Sequence, residues 1–405
     1  MPSPYTMSRR SFLRTTAALS ALRAVPAWAQ PHPNRVFAYI GTYTGASGIE
    51  GNGQGIVLCE ANLETGELSH GTLVAKTPNP SWIAIHPSKK FLYAVNEVSD
   101  YAGGNGSVSA FAIDYATGAL RALNTVSSEG AIPAYLSLDA SGRFVFVANY
   151  GGGSIAVLPI RDDGSLGSAT DVHRDRDSVG RTHAADAPPG SFAVSGHDAP
   201  HAHMIASDPG NRFVLATDLG QDRIYAYAFD PDTGKLSSVP AKPFITLPSG
   251  DGPRHFAFHP NGRWLYSIQE ESTTVALFDY DPSTGSLTPR QTLSALPPGF
   301  AGTNFASEIL IAPNGKTLYS ANRLHDTISV FAIETDGRLT WKAETSTLGD
   351  YPRNCCIAPG GRFLYVGDQR SDSITSFRTH PETGLLTFTG HYASVATPAC
   401  ITFLV

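Results

Sequence analysis

The chain has 405 residues, 41% hydrophobic and 16% charged, with a formal net charge of −6. That is enough apolar material for a substantial core. The acidic balance and the lack of Lys/Arg runs exclude a surface built for nucleic acid or anionic membranes. Four cysteines in so long a chain exclude a disulfide-stapled scaffold.

Taken in chain order, the first element is an export signal. Ser8-Arg9-Arg10-Ser11-Phe12-Leu13-Arg14 reads as a twin-arginine motif, a modestly apolar stretch runs from Thr15 to Val25, and Ala27-Trp28-Ala29 offers small residues for cleavage after Ala29. Residues 1–29 are therefore expected to be removed, leaving a mature chain, 30–405, that is periplasmic or secreted. No later segment is apolar enough to cross a bilayer.

From Val36 onward one pattern repeats. Each unit has a strand, a hairpin turn, an apolar second strand, a third β-rich run and a Gly-containing turn into a fourth. The hairpin turns are Pro87-Ser88-Lys89-Lys90, Ala140-Ser141-Gly142-Arg143, Pro209-Gly210-Asn211-Arg212, Pro260-Asn261-Gly262-Arg263, Pro313-Asn314-Gly315-Lys316 and Pro359-Gly360-Gly361-Arg362. A period of roughly 45–55 residues with four strands per unit predicts a β-propeller. These turns mark six full blades. Val36 to Val74 supplies three more strands without a first one, and Pro398 to Val405 supplies the missing strand. The prediction is all-β: a seven-bladed propeller, four antiparallel strands per blade, closed by the C-terminal strand in the first blade. The turns between third and fourth strands carry Thr-Gly or Asp-Gly, as at Ala116-Thr117-Gly118 and Asp336-Gly337, where glycine takes positive φ without steric cost.

One segment breaks the period. A polar loop from about Asp175 to Ala199, carrying Arg181, His183 and His197, precedes His201 and is expected to be a lid on the mouth face. Among the cysteines, Cys59 lies in a third strand, and Cys355, Cys356 and Cys400 open inner strands. They read as small buried hydrophobes, with a link from Cys400 to Cys355 or Cys356 left open.

In a propeller the start of every first strand and the end of every second strand meet at one mouth of the channel. The first slots read Ser81-Trp82, Ala134-Tyr135, His201-Ala202-His203, Arg254-His255, Ser307-Glu308, Arg353-Asn354 and Ala399-Cys400. The second slots read Gly41 to Thr44, Asn96-Glu97, Asn149-Tyr150, Asp218-Leu219, Gln269-Glu270, Asn322-Arg323 and Asp368-Gln369. Imidazoles, guanidiniums and a carboxylate crowd half of the first set, which is costly to desolvate unless used. These side chains are expected to edge a solvent-filled channel.

Taken together, Tyr39 to Thr44, Asn149-Tyr150-Gly151-Gly152-Gly153-Ser154, Pro200 to His203, Gly252 to His255, Ser307-Glu308-Ile309 and Tyr351 to Asn354 make a set that resembles the seven-bladed propeller lactonase family. Its named members are propeller-type 6-phosphogluconolactonases, with carboxymuconate cyclases as relatives. The resemblance spans the mature chain and implies lactone opening or closing without a metal. The residues suit that chemistry, which needs a base for water, a donor for the oxyanion and an acid for the leaving alkoxide. His201, His203, His255 and Glu308 are the catalytic candidates, with acid and base unassigned. Arg254, Arg353, Asn354, Asn149 and Tyr150 are the substrate-binding candidates. His197, His201 and His203 lack a strong metal-ligand signature and lie near arginines, so no metal and no cofactor are expected. The expected partner of this monomer is a small lactone, most simply an unphosphorylated aldonolactone if the protein is exported. A lactonising cycloisomerase and a non-catalytic binding propeller are the competing readings.

Overall fold

The computed structural model describes residues 35–405 apart from Ser195, Pro240 and Ala241, so the export segment lies outside the described residues. Seven antiparallel sheets form a ring. In six of them the chain runs outward from the channel in sequence order. In the first, Pro398–Leu404 is the inner strand and pairs with Arg35–Thr42, Ile401 opposite Ile40. The remaining inner strands are Ile83–Ile85, Pro133–Leu138, Ala202–Ser207, Pro253–Phe258, Ala306–Ile311 and Pro352–Ile357. The fourth blade departs from the expectation: its outermost position is shared by two short strands, Lys235–Ser238 and Phe244–Thr246, both paired with Arg223–Asp230. No helix among the described residues is long and apolar enough to cross a membrane.

The core is divided among the gaps between blades. Seven buried apolar clusters fill seven gaps. Successive side chains of a strand point to opposite faces. So Ala38 and Ile40 pack towards the seventh blade, while Tyr39 packs towards the second. Both faces of each second strand are therefore buried, which is why those strands read as continuous apolar runs.

A tyrosine latch recurs across the gaps. Tyr39, Tyr93, Tyr266 and Tyr319 donate their hydroxyls to the carbonyls of Gly118, Gly164, Gly337 and Gly384, at 2.8, 3.0, 2.6 and 2.8 Å. Each acceptor is the outer-turn glycine of the next blade. At Gly337 the need for glycine is double: φ is 87°, and a Cβ would lie 2.6 Å from the Trp264 ring of the neighbouring blade. The four cysteines are free thiols, so the optional Cys400 link is not formed.

Candidate functional site

Five inner strands are led in by an Xaa-Pro pair in which the residue before proline has positive φ: Asn79 (39°), Ile132 (52°), Gly252 (69°), Tyr351 (66°) and Thr397 (40°). Only one is glycine, so local strain recurs around one mouth. Two of these turns, at Gly252 and Tyr351, launch inner strands whose first residues carry polar side chains, Arg254-His255 and Arg353-Asn354. His203, Arg254, His255, Glu308 and Asn354 are all at most 5% exposed. The expectation of a solvent-filled channel is thereby corrected, because rings from the apolar half close on the polar half. Trp82 stacks on Tyr135 at 4.3 Å, and each meets the edge of His255 at 5.2 Å.

The buried groups form a chain of hydrogen bonds. His255 Nδ1 donates to Glu308 Oε1 at 2.9 Å, since a carboxylate only accepts. Asn354 Nδ2 donates to Glu308 Oε2 at 2.7 Å, and the Ile401 amide donates to Asn354 Oδ1 at 3.0 Å. The closing strand thus supports the site. Arg254 Nη1 lies 3.4 Å from His255 Nε2 and also donates to the Ser307 carbonyl. Burial lowers the His255 pKa against the opposing pull of Glu308, which keeps the imidazole neutral and its Nε2 an acceptor for Arg254.

The three histidines differ in availability. His201 stacks on Tyr150 at 4.2 Å. Its Nδ1 faces the Tyr150 carbonyl at 2.8 Å and its Nε2 faces Asp198 at 2.9 Å, so both nitrogens are taken by acceptors. His255 is committed to Glu308 and Arg254. His203 has a buried Nδ1 with no hydrogen-bond partner among the described residues. Its ring lies edge-on to His255 at 5.1 Å and to Tyr150 at 5.6 Å. Burial, then the charges of Arg254 and its neighbours, hold its pKa well below the usual imidazole value. A neutral ring with an unengaged nitrogen is a proton acceptor.

Guanidiniums and carboxylates are matched. Glu270 Oε2 lies 3.0 Å from Arg254 Nε and 2.7 Å from Arg323 Nη2. Glu97 Oε2 accepts from Tyr43 at 2.8 Å and lies 3.9 Å from Arg353 Nη2, whose guanidinium sits 5.0 Å over the Tyr43 ring. Burial and the nearby Arg323 lower the Arg254 pKa to about 10, still charged at neutrality.

A propeller with this cluster at its mouth is matched over residues 37–403 by the model of a family described as lactonase, 7-bladed β-propeller. The chain belongs to that family. The 6-phosphogluconolactonase of Bacillus subtilis (strain 168) is 33% identical over 371 residues, covering 91% of this chain and 99% of its own. That of Pectobacterium carotovorum is 34% identical over 325 residues, 80% of this chain and 87% of its own. Among solved structures, the periplasmic gluconolactonase of Pseudomonas aeruginosa superposes with a TM-score of 0.82 at 30% identity, over 92% of this chain and 99% of that one. As a member of the propeller lactonase family, the protein is a carboxylic-ester hydrolase of the lactone-opening class.

Within this lactonase fold, His203, His255, Glu308, Arg254 and Asn354 come together as one buried cluster, with His201 and Tyr150 stacked at its edge. Arg353 lies beside this cluster with Glu97 and Tyr43. Asn149 does not join them. It is fully buried in its own blade, donating to the Ser128 carbonyl at 2.8 Å and to Ser154 Oγ at 3.2 Å. The same inward position holds Asn96, Asp218, Gln269, Asn322 and Asp368, all at most 1% exposed. Glu270 and Arg323, each one residue beyond that position, stood in the second slots but were not among the candidate residues. The signal was available: adjacent residues at a strand end point opposite ways, so only the second member of each pair can reach the mouth.

Proposed function

We propose that the protein hydrolyses an uncharged sugar-acid lactone, with His203 as general base and the Arg254–Arg323 pair as the oxyanion-stabilising group. The observation that carries this reading is the His203 imidazole, neutral, buried and unengaged beside paired guanidiniums. In this reading His203 takes a proton from water. The water oxygen adds to the lactone carbonyl, and the charge on the carbonyl oxygen is met by guanidinium N–H groups. The acyl–oxygen bond then breaks, and the ring alkoxide leaves with a proton returned by the imidazolium. His255 and Glu308 hold Arg254 in position. Three carboxylates (Glu97, Glu270, Glu308) match three guanidiniums (Arg254, Arg323, Arg353) at the mouth, which favours a neutral substrate over a phosphorylated one. A dianion would require cation charge that is not already paired.

The test is acid release followed by pH-stat from glucono-δ-lactone and from 6-phosphogluconolactone, each corrected for spontaneous opening. The unphosphorylated lactone should be preferred. His203→Ala should lower kcat by about 10²–10⁴ with little change in KM. A well-folded His203→Ala protein with full activity, or action on the phosphorylated lactone alone, would overturn the reading.

The twin-arginine motif supports export, and an exported enzyme meets unphosphorylated lactones. Secreted material should begin at Gln30, and Arg9→Lys with Arg10→Lys should hold the precursor in the cytoplasm. Mass analysis finding Met1 or Met7 still attached to exported protein would defeat this.

A further inference from the structure

A cavity of about 440 Å³ opens on the face opposite the mouth, between the hairpin turns of the sixth and seventh blades. It lies where the repeat changes. Two residues before the latch position, the other six second strands carry Phe37, Phe91, Phe144, Phe213, Trp264 and Phe363, and each ring packs against the outer-turn glycine of the next blade. The equivalent residue of the sixth blade is Thr317, buried against Gly384. The residue before the ring changes too. Arg143 and Arg212 close their gaps by donating to the Pro231 and Pro282 carbonyls of the next outer turn. Here that position is Lys316, and the Pro381 carbonyl accepts from Asn314 Nδ2 at 3.3 Å. A threonine leaves the volume of a phenyl ring unfilled, and a close-packed fold relaxes only partly around such a loss.

The walls suit a planar ring at one end and an anion at the other. Thr317 and Tyr319, both buried, line the inner end with Ile357. The Tyr319 hydroxyl is spent on the Gly384 carbonyl, so its ring is what remains to pack against a ligand. Arg362, Arg378 and His380 line the exposed rim. The two guanidiniums lie 5.8 and 4.7 Å from the centroid of the Phe363 ring, which holds them at one edge, and Arg378 also donates to the Glu64 carbonyl at 3.3 Å. His380 Nδ1 accepts from the Thr383 amide at 3.2 Å, which places the ring proton on Nε2 as a further donor. No acid lines this cavity among the described residues. Two guanidiniums without an acid on the same wall suit a carboxylate.

We infer that this cavity binds a planar aromatic carboxylate, its ring seated where the other gaps hold an aromatic side chain and its carboxylate at Arg362 and Arg378. The inference is independent of the reaction at the mouth.

The experiment is calorimetric titration with 2-naphthoate, with acetate as the anion alone and 2-naphthamide as the ring alone. 2-Naphthoate should bind the wild-type protein saturably and at least about ten-fold tighter than either control. Thr317→Phe, which puts back the ring of the other blades, should weaken that binding by about ten-fold or more. Arg362→Ala with Arg378→Ala should bring 2-naphthoate down to the level of 2-naphthamide. The arginine variant changes only exposed side chains, so it carries the test if the Thr317→Phe protein does not fold. Both variants lie on the face away from the mouth, so lost binding places the ligand in this cavity. Absence of saturable binding overturns the proposal, as does equal binding of 2-naphthoate and a control. Undiminished binding in either folded variant, the result expected of a ligand seated at the mouth, overturns it as well.

Discussion

Tyr39, Tyr93, Tyr266 and Tyr319 occupy one position of the repeat, and each closes a gap by donating to a glycine carbonyl in the next blade. Tyr365 holds the same position in the seventh blade, yet its buried hydroxyl has no partner among the described residues. The chemistry of the two cases is opposite. Removing the Tyr319 hydroxyl strands the Gly384 carbonyl, and an unsatisfied buried polar group costs about 1–3 kcal/mol. Removing the Tyr365 hydroxyl deletes a group that was already unsatisfied. Tyr319→Phe should therefore lower the urea midpoint with an unchanged m value, while Tyr365→Phe should leave it unchanged or raise it. Equal losses in both variants would sink the latch argument. The same residue-scale logic explains Asn149. Its side chain is spent inside its blade, and its chain neighbour Tyr150 is the one that reaches the mouth.

At the scale of one element, the loop over residues 175–199 is tied to the fourth and fifth blades by acidic groups. His197 is fully buried, with Nε2 3.1 Å from Asp222 and Nδ1 2.8 Å from Glu271. Burial opposes its charge, but the hydrogen bonds to those two carboxylates win and raise its pKa to about 10. Asp175 lies beside Asp218, and burial followed by that neighbour raises the Asp175 pKa to about 8, with Arg223 pulling the other way. Asp251 lies beside Asp186, and burial followed by that neighbour raises its pKa to about 9, with Asp222 adding to the rise. All three pKa values lie above their ordinary ones, so the folded loop binds more protons than the unfolded chain. The carboxyl contribution is complete below about pH 4 and is lost as pH rises through about 8 and 9. The His197 contribution is complete below about 6.5 and is lost as pH rises through about 10. The loop should thus be more readily cleaved at pH 9.5 than at pH 6, measured as protease nicking within 175–199 against a peptide control, while the blades stay resistant. Equal nicking at the two pH values would refute this.

At the scale of the whole molecule, ring closure depends on seven residues at the end of the chain. Ile401 and Phe403 fill the gap towards the seventh blade, and Cys400 and Leu404 fill the gap towards the second. Burial of each large side chain contributes about 1.5–3 kcal/mol, and a whole domain is stable by only about 5–15 kcal/mol. Deleting Pro398 to Val405 should therefore remove most of the stability. It would also leave an unpaired edge on Arg35–Thr42 and strip Asn354 of the amide that orients it. Thermal unfolding of the truncated chain should begin far below that of the full chain, and coincident melting curves would disprove closure as a source of stability.

The seven-fold repeat, the closing strand and the polar half-ring were legible in the sequence because strand alternation, turn glycines and hairpin spacing are local demands, written once per blade. The clustering of His203, Arg254, His255 and Glu308 followed from their shared slot in that repeat. What only the tertiary structure decided was which atoms meet. Trp82 and Tyr135 reach across to His255, Glu270 bridges Arg254 and Arg323, and His197 is spent on two carboxylates. Of three similar histidines, His203 alone keeps a nitrogen unengaged. Those outcomes depend on the radius of the ring and the direction of each side chain across it, distances that no local pattern in the chain encodes.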